Sequence, residues 1–151
     1  MANEVLFINE EFYKRHISST RGIDDAQIVS TVRLVQNTNL KELISEPVYD
    51  QLQSVFAENA DFTAGEERLF AHIQLYLAVT CAYEMTMASP TRDDTIREES
   101  PKVYQDKSHM LEGMIVRDIN ADPTLLALAQ TGTVETWIDE DEPSLGGFFY
   151  V

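Results

Sequence analysis

Three histidines, one cysteine and a run of carboxylates are the residues of this chain best suited to chemistry. His16 closes a predicted helix, where its ring can meet the last carbonyls. His72 lies in a long apolar helix and His109 in the helix after Pro101. His109 and Glu112 form a solitary H-x-x-E, whereas di-metal centres in helical bundles use E-x-x-H on two helices together with further glutamates. All three histidines therefore read as structural. In the acidic run, Asp139 and Asp141 alternate as calcium-loop ligands do. Such a loop also needs glycine at its sixth position and a bidentate glutamate at its twelfth, and Ser144 and Tyr150 stand there. Asp139, Glu140, Asp141 and Glu142 read instead as a solvated acidic linker. Neither G-x-G-x-x-G nor G-x-x-x-x-G-K-[ST] occurs, and no G-x-S-x-G marks a nucleophile. Cys81 sits within an apolar run, where a thiol is buried rather than activated. The expectation is a protein that is not an enzyme and uses no metal or cofactor.

The charge balance narrows the partners. Among 151 residues, 26 Asp and Glu oppose 11 Lys and Arg, a formal charge of −15. Binding along a phosphate backbone depends on clustered cations that displace counterions, so ordinary nucleic-acid binding is a poor expectation, as is attraction to anionic lipid. The acid is also unevenly placed. After Arg117 no Lys or Arg follows, while Asp118, Asp122, Glu135 and residues 139–142 are all negative. A single cysteine excludes an internal disulfide and fits an intracellular, reducing place of synthesis. Residues 1–9 lack the basic flank of an export signal. The stretch Leu69 to Ala88 is largely apolar but contains His72, Gln74 and Glu84. A charge at the centre of a membrane span costs about 2.5–3.5 kcal/mol on insertion scales, so the segment reads as a buried helix of a bundle and no membrane partner is expected.

These residues must be positioned by helices. Asn9 caps a first helix ending near His16, with Ile8 placed to staple against Tyr13. Asp24 caps a second, striped by Ile28, Val32 and Val35, which Thr38-Asn39 should interrupt before a short turn from Leu40 to Ile44. Pro47 suits the start of a third, running to about Asn59. Thr63-Ala64-Gly65-Glu66 has the spacing of a capping box and opens the longest helix, stopped at Ser89-Pro90. The breaker-rich region 89–100 suggests a loop or a hairpin around Thr95-Ile96-Arg97. Ser100-Pro101 and Asp122-Pro123 start two more helices, the second short and closed by Gly132. Thr133 to Ile138 has the composition of a strand. The expected fold is mostly α: a helical bundle around a long central helix, with a minor β strand or hairpin and an extended C-terminal arm. Residues 1–138 form one domain; residues 139–151 form the acidic linker and arm.

The arm is the most distinctive feature. Gly146 and Gly147 release Phe148, Phe149, Tyr150 and Val151 after the charged linker. Aromatic residues are the usual anchors of an interface, so the cluster either docks on a partner or packs back onto its own bundle.

The segment Ile23 to Phe56 resembles tailed-phage head–tail connector (adaptor) proteins. In that family a helix ends in "aQ", a short "LkplLG" turn follows, and "LYdeL" opens the next helix. Here the matching residues are Val35-Gln36, Leu40-Lys41-Glu42-Leu43-Ile44 and Val48-Tyr49-Asp50-Gln51-Leu52. The long helix holding Leu75-Tyr76-Leu77-Ala78 after its Thr-Ala-Gly-Glu cap is similar to the family's central helix. The likeness covers Ile23 to Met87, a little under half of the chain, and rests on helix-packing patterns. One departure is Ser45-Glu46-Pro47, where the family commonly carries a glycine-containing turn.

The resemblance implies a virion protein of the head–tail junction, a subunit of a homo-oligomeric ring, expected to be twelve-fold, below the portal. It implies portal protein and tail or further neck proteins as partners, with a C-terminal arm, here Gly146 to Val151, docking on the portal or a neighbour. DNA would pass through the lumen without specific binding, repelled by carboxylates such as Asp139 to Glu142. Head-to-tail contacts join two different surfaces, and Lys14, Arg15 and Arg33 are the expected inter-subunit cations facing the acidic second half of an adjacent copy. The alternative is a small acidic DNA mimic that inhibits a host nucleic-acid-binding protein.

Overall fold

The computed structural model describes residues 5–17, 23–88 and 101–140. The polypeptide enters as an extended segment, residues 5–9, and forms α1 (Glu10–His16). Asn9 caps this helix by accepting the Phe12 N–H at 2.8 Å, and Glu10 and Glu11 occupy its positive end. Ile8 and Tyr13, the expected staple pair, are both buried.

Asp24 caps α2 (Asp25–Val35) by accepting the Gln27 N–H. The helix does not break at Thr38-Asn39. It widens into a π-helical turn, Gln36–Leu40, and passes directly into α3 (Lys41–Ile44). Side chains here compete for backbone carbonyls: Thr38 Oγ1 donates to Leu34 O and Asn37 Nδ2 to Arg33 O. The interruption expected at these polar residues does not occur; they widen the helix without ending it.

At Ser45 the chain turns sharply, with φ 77° and ψ 153°, into α4 (Glu46–Ala57). The capping box then forms as its spacing predicts. Glu66 N–H donates to Thr63 Oγ1 and Thr63 N–H to Glu66 Oε1, opening α5 (Ala64–Ala88). Glu66 is buried, and its other oxygen accepts from Gln51 on α4. α5 is the longest helix among the described residues and packs against α1, α2 and α6. Every residue from Tyr76 to Ala82 is buried, so this stretch is enclosed by protein on all sides. Among the described residues no helix is long and apolar enough to cross a membrane.

α6 (Pro101–Ala121) pairs with α5, and α7 (Pro123–Glu140) packs on α4 and α6. Asp122 caps α7 through the amides of Thr124 and Leu125. The expected strand at Thr133 to Ile138 is incorrect: these residues continue α7, and no strand occurs among the described residues. Val134, Trp137 and Ile138 fall at i, i+3 and i+4, so β-prone composition here coexists with helical spacing. Gly132 costs a helix interior about 1 kcal/mol relative to alanine but does not end this one. Asp139 and Glu140, placed in the linker by composition, are the last residues of α7. The proposed hairpin at residues 95–97 and the arm at 146–151 lie outside the described residues.

Candidate functional site

The most elaborate polar constellation in the structure is built from glutamines. Gln36, in the π-helical turn, is completely buried. Its Oε1 accepts the Phe7 N–H at 2.8 Å, and its Nε2 donates to Val5 O at 2.8 Å and to the Tyr49 hydroxyl at 3.0 Å. Gln53, on α4, accepts the Val5 N–H at 3.0 Å and donates to Val5 O at 2.6 Å. Gln74, on α5, donates to Phe7 O at 2.9 Å. Three elements thus satisfy both main-chain groups of Val5 and of Phe7, as a neighbouring β-strand would. A carboxamide carries donor and acceptor on one group, which suits it to reading a peptide backbone.

Between these bonds Phe7 inserts its ring, 1% exposed. It lies 4.9 Å from Phe70 and 5.7 Å from both Tyr49 and Phe56, centroid to centroid, with Phe62 completing the cluster against Phe70. Edge-to-face geometry with Phe56 and Phe70 is a favoured arrangement of ring quadrupoles. The widened π-turn places Gln36 inward here, and such turns recur at functional sites. The sequence signal for Gln36 was its place at the end of the α2 stripe. Gln53 and Gln74 carried none.

The α5–α6 seam holds a second polar set. His72, Tyr76 and Thr80, four residues apart on α5, meet Asp118, Glu112 and Ser108 on α6. His72 Nδ1 lies 2.5 Å from Asp118 Oδ2, and Thr80 and Ser108 hydroxyls are 3.0 Å apart. The Tyr76 hydroxyl is 3.5 Å from Glu112 Oε2. Burial, reinforced by the Glu112 carboxylate, pushes the Tyr76 phenol up to about 12. These rungs satisfy buried polar groups and fix the register of two long helices.

The other residues singled out by chemistry are dispersed. His16 Nδ1 is 3.1 Å from Phe12 O, and its ring stacks on Phe12. His109 is exposed. Cys81 is fully buried, and desolvation pushes its thiol far up, the reverse of nucleophile activation. Among the described residues no group of three or more His, Cys, Asp or Glu could hold a metal ion. A groove of about 240 Å³ lies beside the α3–α4 turn, with Leu43, Ile44, Ser45, Val116 and Leu126 among its walls; among the described residues, Glu42 is the single charged one lining it.

Of the expected inter-subunit cations, Lys14 binds Asp25 of its own chain at 2.6 Å, which holds its ammonium above the usual range. Arg15 and Arg33 are exposed on α1 and α2. The arm, Gly146 to Val151, and Asp141 and Glu142 lie outside the described residues.

The chain matches no protein-family model, no curated protein and no solved structure.

Proposed function

We propose that this chain is a structural head–tail connector subunit of a tailed bacteriophage. In this reading it forms a ring beneath the portal vertex of the virion, extends the DNA channel and joins capsid to tail. α5 acts as the subunit's central helix, and the aromatic arm docks on portal or neighbour.

The observation that supports the reading most is the backbone at Ser45. In the resembled family the turn reads "LkplLG", and Ser45 occupies the place of the glycine. Its φ of 77° lies where glycine is favoured and a side chain is strained. Seven further motif positions, Val35, Gln36, Leu40, Ile44, Val48, Tyr49 and Leu52, are buried, while Glu42, Asp50 and Gln51 face solvent. The pattern that carries the resemblance is thus a single packed unit whose geometry calls for the residue that this sequence lacks.

The charge of −15 per subunit acquires a role in such a ring. A strongly anionic lumen repels a phosphate backbone, and DNA slides through without adhering. Negative-stain imaging of the protein mixed with its portal tests the proposal. Rings seated on portal vertices are expected; a monomer that instead captures a basic host protein would favour the DNA-mimic alternative. Deleting residues 148–151 is expected to abolish portal binding with the fold retained, and undiminished binding would remove the arm from the account.

A further inference from the structure

We propose that the cleft between Phe56 and Phe62 is an arginine-anchoring site, in which a guanidinium presented by a basic segment of a different protein lies against the two rings and pairs with Asp61 and Glu67. The site goes beyond the connector reading, which assigns this surface nothing, and either can fail without the other.

The cleft, of about 520 Å³, forms where α4 gives way to α5. Both of its rims are fixed by local bonds. On one side α4 closes in a Schellman turn: Asn59 takes φ 56°, its N–H donates to Phe56 O at 3.1 Å, and the Ala60 N–H donates to Val55 O at 3.0 Å. On the other side the Thr63–Glu66 capping box starts α5 and sets Glu67 in its first turn. Phe70, buried, holds the two rings, its centroid 4.9 Å from that of Phe56 and 4.8 Å from that of Phe62. Phe56 and Phe62 are themselves only half-buried, and both line the cleft. A site held by capped helix ends and a packed ring loses little freedom when it is filled, which favours binding.

Charge names the occupant. Among the described residues lining the cleft the charged ones are Asp61 and Glu67, both exposed carboxylates, and neither pairs with a lysine or arginine of the described residues. Elsewhere on this surface carboxylates take the cations within reach: Asp25 holds Lys14, and Asp106 holds Lys102. Aromatic faces attract cations through the ring quadrupole. A planar guanidinium stacks on a ring and forks toward carboxylates, which a compact, strongly hydrated ammonium does less well. Copies carrying −15 repel one another, whereas a basic segment of another protein is drawn in, so the arginine comes from a different protein.

The probes are N-acetyl-arginine amide, N-acetyl-lysine amide and the neutral isostere N-acetyl-citrulline amide, each titrated into the isotope-labelled full chain and followed by amide chemical shifts. Arginine should move the amides of residues 59–62 and 67 saturably, with lysine weaker and citrulline about tenfold weaker, because loss of the positive charge removes the ring attraction and both pairs. An Asp61→Asn, Glu67→Gln variant changes only exposed side chains, so the fold is retained, and it should weaken arginine binding about fivefold. Phe62→Leu keeps both carboxylates and an apolar contact for Phe70, and it should bring arginine down to the level of lysine. Shifts spread over carboxylates throughout the chain, equal shifts with citrulline, unchanged binding to the double variant or an arginine preference that survives Phe62→Leu would each overturn the proposal. Rings seated on the portal despite such a result would leave the connector reading intact.

Discussion

Replacing Ser45 with glycine should make this protein more stable, although it removes a side chain. Two costs disappear together. Ser45 holds φ at 77° and ψ at 153°, a region almost reserved for glycine that costs an L-residue about 1–3 kcal/mol. Its Oγ is also buried without a hydrogen-bond partner, and a buried unsatisfied hydroxyl costs about 1–3 kcal/mol. Against this, glycine gives the unfolded chain extra freedom, worth about 0.5–1 kcal/mol. The terms sum to a gain of about 3 kcal/mol, which for a chain of this length raises Tm by about 6–12 °C. Urea unfolding followed by circular dichroism should show a higher midpoint with an unchanged slope, because the surface exposed on unfolding is the same. Ser45→Ala separates the two terms: it removes the hydroxyl and keeps the strain, so it should recover only part of the gain. A Ser45→Gly protein no more stable than the parent would refute the reasoning, and with it the claim that this turn is built for glycine.

Gly65→Ala should act in the opposite direction from helix propensity. An added Cβ would overlap Asp122 Oδ2 and lie 2.9 Å from its Cγ, while Asp122 Oδ1 is committed to the first amides of α7. Losing that cap outweighs the alanine preference, and thermal melts should show a loss of about 1–2 kcal/mol. Gln36→Leu leaves the buried Phe7 N–H without its acceptor and removes one donor from Tyr49; a loss of about 2–3 kcal/mol is expected, with faster amide exchange at Phe7. Tyr76 titrates higher when folded, so its contribution to stability is complete below the ordinary tyrosine value near 10 and declines as pH rises toward 12. Unfolding midpoints across that interval should fall more steeply for the parent than for Tyr76→Phe; identical slopes would exclude Tyr76 as the cause.

What the sequence made legible was local. The caps at Asn9, Asp24 and Asp122 and the Thr63–Glu66 box use bonds spanning two or three residues, so spacing alone locates them. The enclosed stretch of α5 was readable because it carries no charged residue. The glutamine clasp was not, since its partners lie 29 to 67 residues away and glutamine in a sequence resembles any surface residue. The strand expected at Thr133 does not form: its β-prone residues Val134, Trp137 and Ile138 also stand at helical spacing, and α7 continues through Gly132. The polar stretch at Thr38-Asn39 misled for a related reason: side chains that compete for backbone carbonyls can also widen a helix.

The central claim is assembly into a ring that joins portal to tail, and imaging the purified protein alone and with its portal tests it most directly. The account predicts closed rings with an axial channel, seated coaxially on the portal when both are present. A monodisperse monomer that ignores the portal at every protein concentration would contradict it.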